Sequence, residues 1–278
     1  MQRILLIGSN LELLQALRAH RPLAGCVVER SPGNLETLRT LHARAYNVVL
    51  TDPHTTVRED LVLAEEIHAI RPGIRTIILA PEAAPEEVLA ALKAKVFAVF
   101  SAPLHTGEIA GMVEYALADD SNWRDGILVR SGLPHWITLR VSSHMVDAER
   151  LMRFMTEFRS DLPNSERDDL MVAFREMLLN AMEHGAGFDS ERVIEVTAAR
   201  TARSIVYHFR DPGPGFDRGD LPQAALTNPP DDPLAHVQWR AAHDMRPGGF
   251  GILLSKQLVD ELVYNESGNE VLLVKYVD

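Results

Sequence analysis

The chain has almost no cysteine: one, Cys26, in 278 residues. A single thiol excludes an intrachain disulfide. Nothing around Ala24-Gly-Cys26-Val-Val28 marks it as reactive, and it reads as part of a buried strand. Basic residues are also in deficit. Lys and Arg number 28 against 39 Asp and Glu, a net charge of -11. Gripping a phosphate backbone needs concentrated cations, so nucleic-acid binding is excluded and protein partners or small nucleotides are expected. Long hydrophobic runs are missing too. The opening Met1-Gln-Arg-Ile-Leu-Leu-Ile7 is too short for a signal sequence, and no stretch approaches a membrane span. A cytoplasmic chain is expected.

What remains is an ordinary globular composition, 46% hydrophobic and 24% charged, over a length that suggests two domains. Short apolar runs at Ile4–Ile7, Cys26–Glu29, Val48–Thr51, Thr76–Leu79 and Ala98–Phe100 read as strands buried on both faces. Helical patterns near 11–20, 34–44, 59–70, 85–94 and 106–118 separate them. This alternation predicts a doubly wound α/β domain over 1–118 with a five-stranded parallel sheet. Periodicity fails in Asp119-Asp-Ser-Asn-Trp-Arg-Asp-Gly126, and turn signals follow at Ser131-Gly-Leu-Pro134, so a linker is expected at 119–135.

Beyond it, 136–278 reads as an α/β sandwich. A strand is expected at Ile137–Val141, then helices near 144–160 and 166–184. Strands near 192–199 and 203–210 come next. The long polar, proline-bearing stretch 212–248 would supply a mobile lid at 219–247. A helix near 250–260 and strands near 262–266 and 270–276 close the chain.

Three stretches carry the chemistry. In Glu176-Met-Leu-Leu-Asn180-Ala-Met-Glu-His184-Gly185, Glu176 and Asn180 stack on one helix face. Asparagine lowers helix propensity, so it needs a reason to be there. Its amide oxygen can serve Mg²⁺, which takes few protein oxygens. Glu176, one turn earlier, can accept the proton of an incoming hydroxyl. A plain polar helix face is the structural alternative. His184-Gly185-Ala186-Gly187 ends the helix, where glycine allows a left-handed cap, and His184 receives no metal role.

In Asp211-Pro-Gly213-Pro-Gly215-Phe216, a carboxylate at a strand end can accept a hydrogen bond from the adenine amine, while the glycines let backbone approach a flat base. Taken alone, Asp-Pro-Gly is also an ordinary turn. In Arg246-Pro-Gly248-Gly249-Phe250-Gly251-Ile252, a glycine-rich turn opens an apolar helix and can present N–H groups to phosphate. It is not a P-loop, since no Gly-Lys-Ser/Thr follows. The ordered trio points to Mg-ATP.

These residues carry a resemblance. Residues of about 136–278 resemble the GHKL (Bergerat-fold) ATPase superfamily, in its branch of anti-sigma-factor serine/threonine kinases. Its first motif, Glu-x-x-x-Asn-Ala-x-x-His-Gly, is met by Glu176, Asn180, Ala181, His184 and Gly185. The second is met by Asp211, Gly213, Gly215 and Phe216, and the glycine turn of the lid by Gly249 and Gly251 around Phe250. The resemblance implies Glu176 as base, Asn180 as magnesium ligand, Asp211 on adenine, and ATP and Mg²⁺ as cofactors. It also implies a serine or threonine on a STAS-type anti-sigma-factor antagonist as substrate, with a sigma factor as another partner. Members of the branch are often homodimers. The histidine-kinase branch needs a phosphoaccepting histidine; His144 stands at a helix start without the acidic-basic-proline pattern.

Residues 1–118 resemble a response-regulator receiver domain of two-component signalling, which is flavodoxin-like. Asp52 stands at the phosphoacceptor position. The acidic pair after the first strand is replaced by Ser9 and Asn10, the hydroxyl after the fourth by Ala80, and the lysine before Pro103 by Ala102. Without the acidic pair most Mg²⁺ ligands are gone, and without the lysine so is the cation that would stabilise an acyl phosphate. Asp52 therefore reads as a leftover of the phosphoacceptor or a structural carboxylate, with ordinary phosphorylation the minor alternative. The expectation is a magnesium- and ATP-dependent serine/threonine kinase regulated by a degenerate receiver. Two competing readings are a nucleotide-dependent partner-binding switch with little turnover and a scaffold with an inert ATPase domain.

Overall fold

A computed structural model describes residues 1–118, 125–159, 161–216, 232, 234–242 and 249–277. It divides into two compact units, Met1–Asp125 with Glu149–Arg159, and Gly126–Ala148 with Ser160–Asp278.

The first unit alternates β1 (Arg3–Ile7), α1 (Leu11–Ala19), β2 (Val27–Ser31), α2 (Asn34–Ala43), β3 (Val48–Leu50), α3 (Val57–Ile70), β4 (Arg75–Ala80), α4 (Pro85–Lys93), β5 (Ala98–Ser101) and α5 (Thr106–Ala118). The sheet is wholly parallel in the order β2-β1-β3-β4-β5. This is the flavodoxin-like order, in which the strand ends at the β1/β3 reversal form the functional edge. Its central strands have apolar middles because helices cover both faces: Val48, Val49 and Leu50 are fully buried, as are Ile77, Ile78 and Leu79. Local signals match the packing. Asn10 accepts the Leu13 N–H to start α1 at 2.9 Å, and Thr56 with Glu59 forms a capping box on α3.

Most of the helix α6 (Met145–Phe158) belongs to this first unit rather than to the second, where the sequence pattern put it. Arg150 is fully buried. Its guanidinium donates to the Phe97 carbonyl at 3.1 Å and to Asp125 at 2.9 Å. Arg153 donates to the Val99 carbonyl at 3.1 Å, while Glu157 accepts the Ser101 N–H at 3.1 Å and its hydroxyl at 2.6 Å. The edge of β5 is thus satisfied by side chains in place of another strand.

The second unit is a six-stranded antiparallel sheet in the order β10-β11-β9-β8-β7-β6. Its strands are β6 (Ile127–Leu133), β7 (Trp136–Ser142), β8 (Val193–Arg200), β9 (Ser204–Arg210), β10 (Glu261–Tyr264) and β11 (Glu270–Tyr276). Helices α7 (Asn164–Asn180) and α9 (Gly251–Leu258) pack on each other and on the sheet, and α8 (Ala235–Ala242) lies in the long connection. Burial alternates along β9, where Ile205, Tyr207 and Phe209 face inward. The ring of Phe174 on α7 meets Tyr207 and Phe209 edge-on, with centroids 4.7 and 4.9 Å apart.

The stretch expected as linker, 119–135, contains the edge strand β6. Of its seven residues only Ile127 is buried, and the ladder with β7 slips between Val129 and Ser131. A strand exposed on most positions and bulged in the middle carries no alternating apolar pattern to announce it.

Candidate nucleotide site

The site is built on α7 and its continuation. Phe174, Met177 and Leu178 are buried on one arc, while Glu176 and Asn180 lie half-buried on another. After Asn180 the helix widens into one π-helical turn, Ala181–Gly185, where the Ala186 N–H donates to the Ala181 carbonyl at 3.0 Å. Such turns are locally costly and concentrate at functional sites.

Gly185 closes that turn. The left-handed φ expected of the glycines in His184-Gly185-Ala186-Gly187 falls on Gly187 (66°), with Phe188 beside it (53°), and not on Gly185. Gly185 is needed for room: a Cβ there would overlap the Cβ, Cγ and Oδ1 of Asp211. Gly213 is also tight, since a Cβ on it would lie 2.8 Å from the Gly185 Cα. The end of the first motif and the start of the second therefore pack backbone to backbone.

Asp211 stands just past β9. Its N–H donates to the Asn269 carbonyl at 3.0 Å, and its Oδ1 accepts the Gly213 N–H at 2.8 Å. That is its only side-chain hydrogen bond among the described residues. Burial pushes its carboxyl above the usual aspartate value, against the downward pull of the Gly213 N–H. The loop then docks on the β10–β11 turn. Gly215 adopts φ 78° against the Ser267 carbonyl, and the Phe216 N–H donates to that carbonyl at 3.0 Å. The Phe216 ring sits edge-on to Tyr264 at 5.3 Å, whose hydroxyl donates to the Met177 sulfur at 3.3 Å. The supporting turn Asn265–Asn269 did not stand out from sequence, although Asn-Glu-Ser-Gly-Asn is a turn signal.

The third motif completes the arrangement. Gly249 adopts φ 97°, and the ring of Phe250 meets His236 of α8 at 4.4 Å. At Gly251, the first residue of α9, a Cβ would overlap Glu176 Oε2 and lie 3.4 Å from Glu176 Cδ and 3.6 Å from Asn180 Nδ2. Neither Glu176 nor Asn180 has a side-chain hydrogen bond among the described residues. The first motif thus touches the third at one end and the second at the other. Arg246, Gly248 and most of the expected lid at 219–247 lie outside the described residues; within that stretch, 235–242 is the helix α8.

In the first unit, Asp52 follows β3. Its Oδ1 accepts the His54 N–H at 3.1 Å and pairs with His54 Nδ1 at 2.9 Å. Gly8, at φ 87°, faces it so closely that a Cβ would overlap the carboxylate. Asn10, at one of the positions of the missing acidic pair, has its side-chain oxygen committed to the cap of α1. Nearby Asp60 is fully buried and accepts the hydroxyls of Thr51 at 2.5 Å and Thr55 at 2.9 Å. Burial raises its carboxyl to about 6. Among the described residues no group of three or more His, Cys, Asp or Glu is placed to hold a metal, and no helix is long and apolar enough to cross a membrane.

Comparison with known proteins agrees with the topology of the second unit. Residues 141–275 match the family model of the histidine kinase-like ATPase domain. A serine-protein kinase, RsbW, of Oceanobacillus iheyensis is 26% identical over 111 residues, covering 40% of this chain and 65% of the relative. The chain thus spans less than two thirds of that relative's length. Among solved structures, a CheY-like receiver domain protein from Methanospirillum hungatei is 23% identical with a TM-score of 0.37, over 42% of this chain and 94% of its own. The HemR receiver domain of Leptospira biflexa is 19% identical with a TM-score of 0.39, over 45% of this chain and 100% of its own.

Proposed function

We propose that the histidine kinase-like ATPase domain at 141–275 binds Mg-ATP and transfers its terminal phosphoryl group to a serine or threonine of a partner protein. The partner class is that of the anti-sigma-factor kinases: a STAS-type antagonist, with a sigma factor as a second partner. One observation carries the reading. α7 holds Glu176 and Asn180 against the glycine that opens α9, and the π-helical turn that continues it holds Gly185 against Asp211, all within ten residues. Helical rise separates those ends by about 13 Å, which suits an extended ligand with a base at one end and phosphates at the other.

The residues fit such a ligand. Asp211 is a half-buried carboxylate with one backbone donor, able to accept a hydrogen bond from the adenine amine and to disfavour guanine, which presents a carbonyl there. Gly213 and Gly215 leave the base face open. Gly249, Phe250 and Gly251 lead into α9, whose first N–H groups suit phosphate oxygens. Asn180 would be a ligand for magnesium, which supplies charge neutralisation on the phosphates when bound. Glu176 would accept the proton of the incoming hydroxyl as that oxygen bonds to phosphorus and the diphosphate leaves. Residues 1–118, with the acid pair and lysine of a receiver replaced, would act as the regulatory part.

The test is label transfer from ATP to a purified STAS-domain protein. Glu176→Gln should keep nucleotide affinity and lose transfer by about 10²–10⁴-fold. Equal transfer by wild type and variant would remove Glu176 from the role. Tight ATP binding with no transfer to any partner would favour the switch.

A further inference from the structure

The second unit gathers the nucleotide motifs, but a locally basic stretch lies in the first. Residues 1–50 contain six arginines, three glutamates and no aspartate or lysine, although the whole chain carries a net charge of -11. Four of those arginines, Arg18, Arg30, Arg39 and Arg44, line one open groove of about 550 Å³ at the β2 edge of the sheet, between α1 and α2. That volume is in the range of small-molecule sites.

The groove's two carboxylates are engaged. Glu29 is held by Arg3 at 3.3 Å, by Arg44 at 3.1 Å and by the Tyr46 hydroxyl. Those three donors keep its carboxyl below the usual glutamate value. Glu29 therefore acts as a bracket that fixes Arg44 instead of standing as a free negative charge. Among the described residues Glu36 pairs only with Arg39, at 3.6 Å across one helical turn, with both side chains more than half exposed. Arg18 donates to the Val28 carbonyl at 3.0 Å, which orients its guanidinium at the strand edge. Arg30 is exposed and has no ion-pair partner among the described residues. Counting Arg3, five cations meet two carboxylates.

We propose that this groove is a second anion site, distinct from the ATP motifs, and that it takes a small molecule carrying at least two phosphoryl groups. Several guanidiniums around a nucleotide-sized groove match clustered phosphate oxygens, each arginine presenting a planar pair of donors. Two are preorganised by their bonds to Val28 and Glu29, which lowers the ordering cost on binding. Free pyrophosphate and the diphosphate of a nucleotide share this chemistry.

Calorimetric titration of the full chain with inorganic pyrophosphate, and separately with ADP, tests the proposal. The variants are Arg30→Glu with Arg39→Glu, both exposed so that folding is retained, and Asn180→Ala as a control in the other unit. Pyrophosphate should bind wild type and Asn180→Ala alike, and the double arginine variant at least tenfold more weakly. ADP should lose one of two binding events in that variant if the natural ligand is a nucleotide, and show only the event sensitive to Asn180→Ala if it is a free phosphate compound. The proposal is overturned if wild type binds no pyrophosphate, if the loss follows Asn180→Ala instead, or if poly-glutamate at equal ionic strength binds the groove as tightly.

Discussion

Gly185→Ala is the sharpest test of how the nucleotide motifs are joined. The added methyl would overlap three atoms of Asp211, including its Cβ. Rotating the aspartate side chain cannot relieve a clash with Cβ, whose position is set by the end of β9. Either the π-helical turn or the start of the Asp-Pro-Gly-Pro-Gly loop must move by on the order of 1 Å to restore ordinary contact distances. Overpacking of this kind costs about 1–3 kcal/mol of stability. Displacing Asp211 should also remove its hydrogen bond to the base. A bond to a charged group contributes about 1.5–3 kcal/mol, a loss of roughly 10–150-fold in ATP affinity. Calorimetry with ATP, ADP and GTP reads this directly: the variant should lose adenine preference together with affinity. Gly187→Ala is the control. Its φ of 66° disfavours alanine, at a cost of about 1–2 kcal/mol, but nothing lies within 4 Å of the new methyl, so nucleotide binding should persist. A folded Gly185→Ala protein that binds ATP within twofold of wild type would refute the joining of these motifs at Asp211.

Four further outcomes are expected. Asp211→Asn should weaken ATP binding at neutral pH, and wild-type affinity should fall on acidification at a higher pH than for an ordinary aspartate, because burial raises this carboxyl and its protonated form loses acceptor strength; a titration series across pH measures it. Asp60, raised to about 6 in the folded protein, contributes stability that is fully present below the unfolded value near 3.9 and is lost as pH rises through about 6. The difference in urea-unfolding free energy between wild type and Asp60→Asn should therefore shift against wild type by about 2 kcal/mol from pH 4 to pH 7.5, and a pH-independent difference would contradict this. Arg150→Met removes a buried cation paired with Asp125 and should destabilise the first unit by about 3–5 kcal/mol in thermal or urea unfolding. Phe174→Ala, at the three-ring contact with Tyr207 and Phe209, should cost about 3–5 kcal/mol in the second unit by the same measurements.

The parallel sheet was legible because its strands centre on short apolar runs, and periodicity marks the helices between them. Element ends came within one or two residues, as at Val48–Leu50 and Thr106–Ala118. Edge strand β6 was not legible, because Arg130, Ser131 and Gly132 face water and interrupt any alternation. α6 was legible as a helix but not in its allegiance. Its apolar spacing says that one face is buried, not in which core. The deciding contacts are long-range, from Arg150 and Arg153 to backbone carbonyls more than fifty positions away. Helix α8 was hidden by the prolines that precede it.

By itself, then, the sequence determined the local chemistry: which residues could accept a proton, ligate a metal or let a backbone pass close to a base, and which runs become strands or helices. Those properties depend on side-chain type and on spacings of two to four residues. Tertiary structure alone decided that Gly185 exists to admit Asp211, that Gly251 lies against Glu176 and Asn180, and that arginines from α1, β2 and α2 share one groove. These are meetings between residues distant in the chain, and they arise from packing, which no local period encodes.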